Sequence, residues 1–230
     1  MCGVFVFWLM IYLDKAYFRN SRVLLLLLMI RAAYSDKHIV VDILTKAFDH
    51  NKSVNFVVKQ DKNRIRRISE LMSYSFEMCF AFGEVFLSPE RHACALILFP
   101  DEQRTTLKTI SWHIELIWKS IGVMNVWKVL KRSTLIKRQY PDEPICHLWF
   151  GGVDPSYQRR GVASKWLNEL VREDISRNRP LFLETSTQQN LSLYQKFGFQ
   201  IYQQLEIAGH MLYLMRREPK YIDLKGVQGE

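Results

Sequence analysis

The sequence predicts an α/β fold: a mixed central sheet flanked by helices, with an extra helical pair between the third and fourth strands. Three observations carry this. Segments with apolar residues at helical spacing and short apolar runs bounded by turn residues succeed each other in the order β-α-α-β-β-(αα)-β-α-β-α-β-β. A basic turn, Gln158-Arg159-Arg160-Gly161-Val162-Ala163, joins an apolar run to an amphipathic stripe. The 230 residues are 48% hydrophobic and 24% charged, enough chain of ordinary composition to bury a core without disulfides or metals.

The elements follow in order. Residues 30–33 read as a first strand. Ser35 reads as an N-cap, because Ile39, Val40, Ile43, Leu44 and Ala47 follow at helical spacing. Residues 61–80 form a second helix with Ile65, Ile68, Leu71, Met72, Ser75, Phe76 and Cys79 on one face. Residues 83–87 and 93–99 make a hairpin around Ser88-Pro89-Glu90-Arg91. Helices over 105–121 and 126–139, parted by Gly122, carry Trp, Leu and Ile on one face and Lys and Arg on the other. They read as a cover over the sheet or a substrate lid. A strand at 147–153, a helix at 162–175, a strand at 181–185, a short helix from Asn190 to Gly198 and a hairpin of 200–205 with 210–216 complete the domain.

The ends differ from the middle. Residues 2–13 and 23–30 are apolar runs, with Asp14, Lys15, Arg19 and Arg22 between them. Neither approaches the length of about 20 residues that spans a bilayer. No positive charge precedes the first run, so it does not read as a signal peptide. If Met29 is the natural start, residues 1–28 are a hydrophobic extension; a membrane-associated anchor is the other reading of them, and the extension is preferred. The expected division is 1–28 as extension, 29–218 as the domain and 219–230 as a polar tail.

The net charge of +9 sits largely in two clusters, Lys59, Lys62, Arg64, Arg66 and Arg67, and Lys128, Lys131, Arg132, Lys137 and Arg138. These are either solvated helix faces or an attraction for a polyanion. No RNA-binding aromatic signature or zinc-finger spacing accompanies them, so specific nucleic-acid readout is not expected. Cys2, Cys79, Cys94 and Cys146 form no C-x-x-C pair. No metal or disulfide framework is expected, and a reducing, cytoplasmic setting is.

The chemistry concentrates around Gly161. A strand that ends in a basic glycine turn and enters a helix N-terminus offers free N–H groups and a positive dipole to an anion. About thirty residues on come Leu183-Glu184-Thr185-Ser186 and Asn190-Leu191-Ser192-Leu193-Tyr194-Gln195-Lys196-Phe197-Gly198-Phe199. Val153-Asp154-Pro155 with Gln158-x-x-Gly161-x-Ala163, followed by Asn190, Leu193-Tyr194 and Gly198-Phe199, resembles the two motifs of the GCN5-related N-acetyltransferases, the GNAT family. The resemblance covers about residues 29–217.

It implies an acetyl-CoA-dependent N-acetyltransferase. Gln158, Arg159, Arg160, Gly161, Val162, Ala163 and Ser164 would meet the pyrophosphate. Val153, Asp154 and Pro155 begin the same motif, and the N–H near Val153 would polarise the thioester carbonyl. Asn190 would bind the pantetheine amide, and Tyr194 would assist the leaving thiolate. Gly151-Gly152, inside the preceding strand, suggests a bulge or a close backbone approach. The base that deprotonates the amine is open between Glu184, His147 and Glu143, with Glu184 taken as the catalytic candidate. The acceptor would be a small-molecule or peptide amine, and self-association as a homodimer stays open. Two other readings remain: a CoA-binding sensor or scaffold without turnover, and a basic membrane- or nucleic-acid-associated protein.

Overall fold

The computed structural model describes residues 29–171, 177–207 and 209–219. The hydrophobic extension at 1–28, the end of the helix expected to run to 175 and most of the polar tail lie outside the described residues.

Seven strands form one sheet in the order β1-β2-β3-β4-β5-β7-β6. They are β1 (Ile30–Arg31), β2 (Gly83–Leu87), β3 (Ala93–Leu98), β4 (Cys146–Val153), β5 (Leu181–Thr185), β6 (Gln200–Ile207) and β7 (His210–Arg217). Every neighbouring pair is antiparallel except β4 with β5. The sheet is mixed, as expected from the order of elements.

Helices cover both faces. Helices α1 (Lys37–Ala47) and α3 (Arg64–Phe82) pack one core against Cys94, Leu96 and Leu98. Helix α6 (Val162–Leu170) packs the other against Ala93, Ala95 and Ile97, with α7 (Leu191–Lys196) beside it. The period-two alternation of β3 therefore feeds two cores, which is why the whole strand is apolar.

Local chemistry moved some boundaries. Ser35 does not cap α1. It lies inside a 3₁₀ turn, Tyr34–Asp36, which the Asp36 carboxylate organises by accepting the Ala33 N–H at 3.0 Å. A short helix α2 (Lys52–Val57), absent from the sequence reading, is capped by Asn51, whose Oδ1 accepts the Val54 N–H at 3.0 Å.

Strand β4 carries a bulge, but not at its glycines. Ile97 pairs with Leu148 and Leu96 with Phe150, which leaves Trp149 as the extra residue. The glycines answer a packing demand instead. A Cβ on Gly151 would lie 2.4 Å from Trp166 Cη2, and one on Gly152 would lie 2.9 Å from Leu44 Cδ2. Helices from both sides close on this strand. Gly151→Val should overpack that contact and lower stability by about 1–3 kcal/mol, read as a lower Tm.

Between β3 and β4 stand α4 (Leu107–Leu116), a π-helical turn (Ile117–Ile121) and α5 (Val126–Lys137). Gly122 separates them at φ 77°, as its type permits. The expectation of an apolar cover holds only in part. Ile136 packs with Ile207, Leu212 and Leu214, and Leu116 packs against the first core. Leu107, Trp118, Met124 and Trp127 are exposed at 88%, 69%, 94% and 78%. The pair packs on the domain through residues such as Leu116 and Ile136 and leaves several large apolar side chains in solvent.

Candidate active site

The sheet opens where the parallel pair ends. Strands β4 and β5 pair at Cys146 with Leu181 and at His147 with Phe182. Both continue past that point, β4 to Val153 and β5 to Thr185, without further pairing. The backbone edges beyond it face a gap. The Asp154 N–H donates to His92 O at 2.8 Å on the β3 side. By strand alternation, Val153 then directs its N–H to the gap, while its C=O on the same side accepts from the Gln158 side chain at 3.0 Å.

The basic turn follows at the end of β4. Asp154 accepts the Ser156 N–H at 2.9 Å and holds the 3₁₀ turn Pro155–Tyr157. Burial pushes its carboxyl up, but the Ser156 hydrogen bonds and nearby Lys46 outweigh this and hold it below the usual range. Gln158 Nε2 donates to Val153 O at 3.0 Å. The side chains of Asp154 and Gln158 thus brace the turn from inside, which the motif alone did not indicate. Arg160 lies over the Tyr157 ring, 5.5 Å from its centroid.

Arg159 (φ 61°) and Gly161 (φ 76°) are both left-handed. Left-handed residues of this kind build concave N–H nests that accept anions. Gly161 directly precedes α6, whose first-turn N–H groups have no partner within the helix. Arg159, Arg160 and Gly161 are exposed, while Val162, Ala163 and Ser164 are half-buried. A Cβ on Gly161 would meet nothing within 4 Å, so its glycine answers the left-handed backbone and not crowding within the chain.

Helix α7 carries the second block. Asn190 stands at its N-cap position, yet its side chain makes no capping bond and is exposed. Tyr194 is half-buried against the core under α6 and sits edge-on to Phe199, with centroids 6.0 Å apart. Burial pushes its phenol up to about 12, so it stays protonated at neutral pH.

On the opposite face of the sheet, three side chains meet. In β5, Leu181 and Leu183 pack toward α6, so the alternate Phe182 and Glu184 point the other way. Glu184 lies two residues past the last β4–β5 pair. His147 Nε2 sits 3.0 Å from Glu184 Oε2, and the Tyr140 hydroxyl donates to Glu184 Oε1. Tyr140 Oη is also 3.3 Å from His147 Nε2.

The cluster is enclosed, and its titration follows from that. Burial pushes the Glu184 carboxyl up to about 7, against the opposing field of Arg132 on α5. Burial likewise pushes the His147 imidazole down to about 4. At neutral pH His147 is uncharged and Glu184 is near its midpoint. A carboxylate poised there can accept a proton and release it again. Glu143 stands elsewhere, with Arg216 Nη2 2.9 Å from its Oε1 on the surface. Tyr140 and Arg132 escaped sequence reasoning. Arg132 passed for one more surface cation, and Tyr140 lies 44 residues from Glu184 in the chain.

The mixed sheet with its one parallel pair and flanking helices is the fold of solved acetyltransferases. Residues 116–201 match the family model described as acetyltransferase (GNAT) domain, a span that holds both motifs. The chain is 37% identical over 73 residues to the N-alpha-acetyltransferase RimI of Mycobacterium tuberculosis. That match covers 29% of this chain, and the chain spans 45% of that relative's length. Among solved structures it resembles a histone acetyltransferase HPA2 and related acetyltransferase of Corynebacterium glutamicum. The TM-score is 0.62 at 18% identity, over 85% of this chain and 98% of the other. It also resembles arylalkylamine N-acetyltransferase 2 of Aedes aegypti, with a TM-score of 0.55 at 14% identity, over 83% of this chain and 98% of the other. Residues 116–201 thus resemble a GNAT acetyltransferase domain, and the fold around them is shared with solved acetyltransferases. GNAT acetyltransferases use acetyl-CoA as co-substrate.

Proposed function

We propose that this protein transfers the acetyl group of acetyl-CoA to a primary amine by direct attack in a ternary complex. The observation that carries the reading is the place of Glu184: a carboxyl enclosed with His147 and Tyr140, two residues beyond the point where β4 and β5 part, which burial pushes up to about 7. An alkylamine with an ordinary pKa near 10.4 arrives protonated, at a cost of about 4–5 kcal/mol at pH 7. Glu184 takes that proton, directly or through water. The amine nitrogen attacks the thioester carbonyl carbon and forms the C–N bond. Charge develops on the carbonyl oxygen, toward which the Val153 N–H is aimed. The C–S bond then breaks and CoA leaves as a thiolate that takes up a proton.

The remaining residues bind and orient. The turn Arg159–Ser164 with Gly161 receives the pyrophosphate, and Asn190 the pantetheine amide. Tyr194 faces the leaving sulfur. Its phenol is too weak an acid to protonate a thiolate fully, so it acts by a hydrogen bond that strengthens as charge grows on sulfur. No covalent enzyme intermediate is needed, and Cys79, Cys94 and Cys146 are buried outside both motifs. Burial pushes the Cys94 thiol well above its ordinary range. Three buried free thiols suit a reducing compartment such as the cytoplasm. The acceptor class is a small-molecule or peptide amine, the kinds named for the relatives of Aedes aegypti and Mycobacterium tuberculosis.

The test is release of free thiol from acetyl-CoA across a panel of amines. Tight CoA binding with no release for any amine would instead make the domain a CoA-binding scaffold. Tyr194→Phe should lower kcat by about 10–100-fold, the worth of one hydrogen bond to a developing charge. Its KM for acetyl-CoA should stay near that of the wild type.

A further inference from the structure

We propose that the corner between α4 and α5 docks onto an anionic phospholipid surface. Trp118, Val123, Met124, Trp127 and Leu130 project there, each more than half exposed. Apolar side chains clustered on one outer face mark an interaction surface. Tryptophan beside aliphatic side chains and cations is the composition of a helix lying in a membrane interface.

The charges around the corner select the partner. From Leu116 to Tyr140 the chain carries Lys119, Lys128, Lys131, Arg132, Lys137 and Arg138 and no Asp or Glu. Lys128, Lys131, Lys137 and Arg138 are exposed and have no carboxylate partner among the described residues. Beside Trp118 lies an open recess of about 240 Å³, lined also by Asn63, Arg66, Arg67 and Lys119. Arg67 is held by Asp61 at 2.7 Å, and Lys119 by Glu115 in an exposed pair at 2.7 Å. Arg66 has no such partner among the described residues, and its charge opposes that of Lys119. A phosphate headgroup would relieve that repulsion while acyl chains receive the tryptophans.

Two other occupants fit the charge less well. Residues 1–28 are apolar, but Lys15, Arg19 and Arg22 against Asp14 make them net positive. A second copy would set the same cations against themselves. Nucleic acid would match the charge and leave Met124 and Leu130 without a use. The docked helix is also the one whose inner side bears Arg132 and leads to Tyr140 over Glu184. Among the described residues no helix is long and apolar enough to cross a membrane.

The test is flotation of the full chain with phosphatidylserine-containing vesicles and with pure phosphatidylcholine vesicles. Binding to the first should exceed the second by about tenfold or more at low salt. The double variants Met124→Glu/Trp127→Glu and Lys128→Glu/Lys131→Glu should each lose at least about tenfold in vesicle affinity with an unchanged Tm. Vesicle binding equal to wild type in both variants would overturn the proposal, as would no preference for the anionic lipid. A change in oligomeric state without vesicle binding would reassign the face to self-association. Salt-dependent DNA binding without vesicle binding would also overturn it.

Discussion

Glu184→Gln lowers kcat/KM by about 10²–10⁴-fold, the usual worth of a positioned proton acceptor. The amide keeps the shape and can still accept from Tyr140, so the loss reports on proton transfer. The pH profile supplies a second readout. Glu184 must be ionised to take a proton, so wild-type kcat/KM should rise with pH through about 7. The variant should lack that limb. Stability shifts in the opposite sense. The folded-state pKa of Glu184 lies above its unfolded value near 4.3, so the folded protein holds the extra proton between those limits. That contribution is present below about 4.3 and is lost as pH rises through about 7. The Tm of the variant should therefore depend less on pH across that window. Wild-type kinetics with an unaltered pH profile would remove Glu184 from the mechanism and return the base to His147 or to solvent.

Gly161→Glu abolishes CoA binding, with an expected rise in Kd of more than about 100-fold. It sets a negative charge beside the pyrophosphate, and like charges brought together cost several kcal/mol. It also forces an L-residue into φ 76°, which costs on the order of 1 kcal/mol. The new Cβ would touch nothing within 4 Å, so the fold should survive and the loss can be assigned to the ligand. Gly161→Ala is the control. It carries the backbone strain without the charge and should keep measurable binding by calorimetry. Equal CoA affinity in the glutamate variant would move the pyrophosphate away from this turn.

Much of the fold was legible because its signals are local. The Gly83–Leu98 hairpin is two apolar runs around Ser88-Pro89, and the stripe Val162, Trp166, Leu167, Leu170 names the buried face of α6. The six-residue helix α2 was not legible, since it is shorter than two helical turns and has no amphipathic repeat. The bulge fell at Trp149 instead of Gly151-Gly152 because register depends on the partner strand, which the motif does not contain. The helices of 105–121 and 126–139 read as a cover over the sheet or a substrate lid because periodicity reports amphipathicity and not what covers it. Only the packed structure shows Met124 at 94% exposure.

By itself the chain's order of residues determined the longer helices and the strands, the basic glycine turn and the Asn190–Tyr194 block. Each is written within a few residues and needs only backbone preference and spacing. The tertiary structure alone decided which face His147 takes, that Tyr140 closes over Glu184, and that β4 and β5 part after one pair beyond Cys146 and Leu181. These depend on burial and on contacts across dozens of residues. A carboxyl near 7 is a property of its enclosure, which no spacing in the sequence encodes.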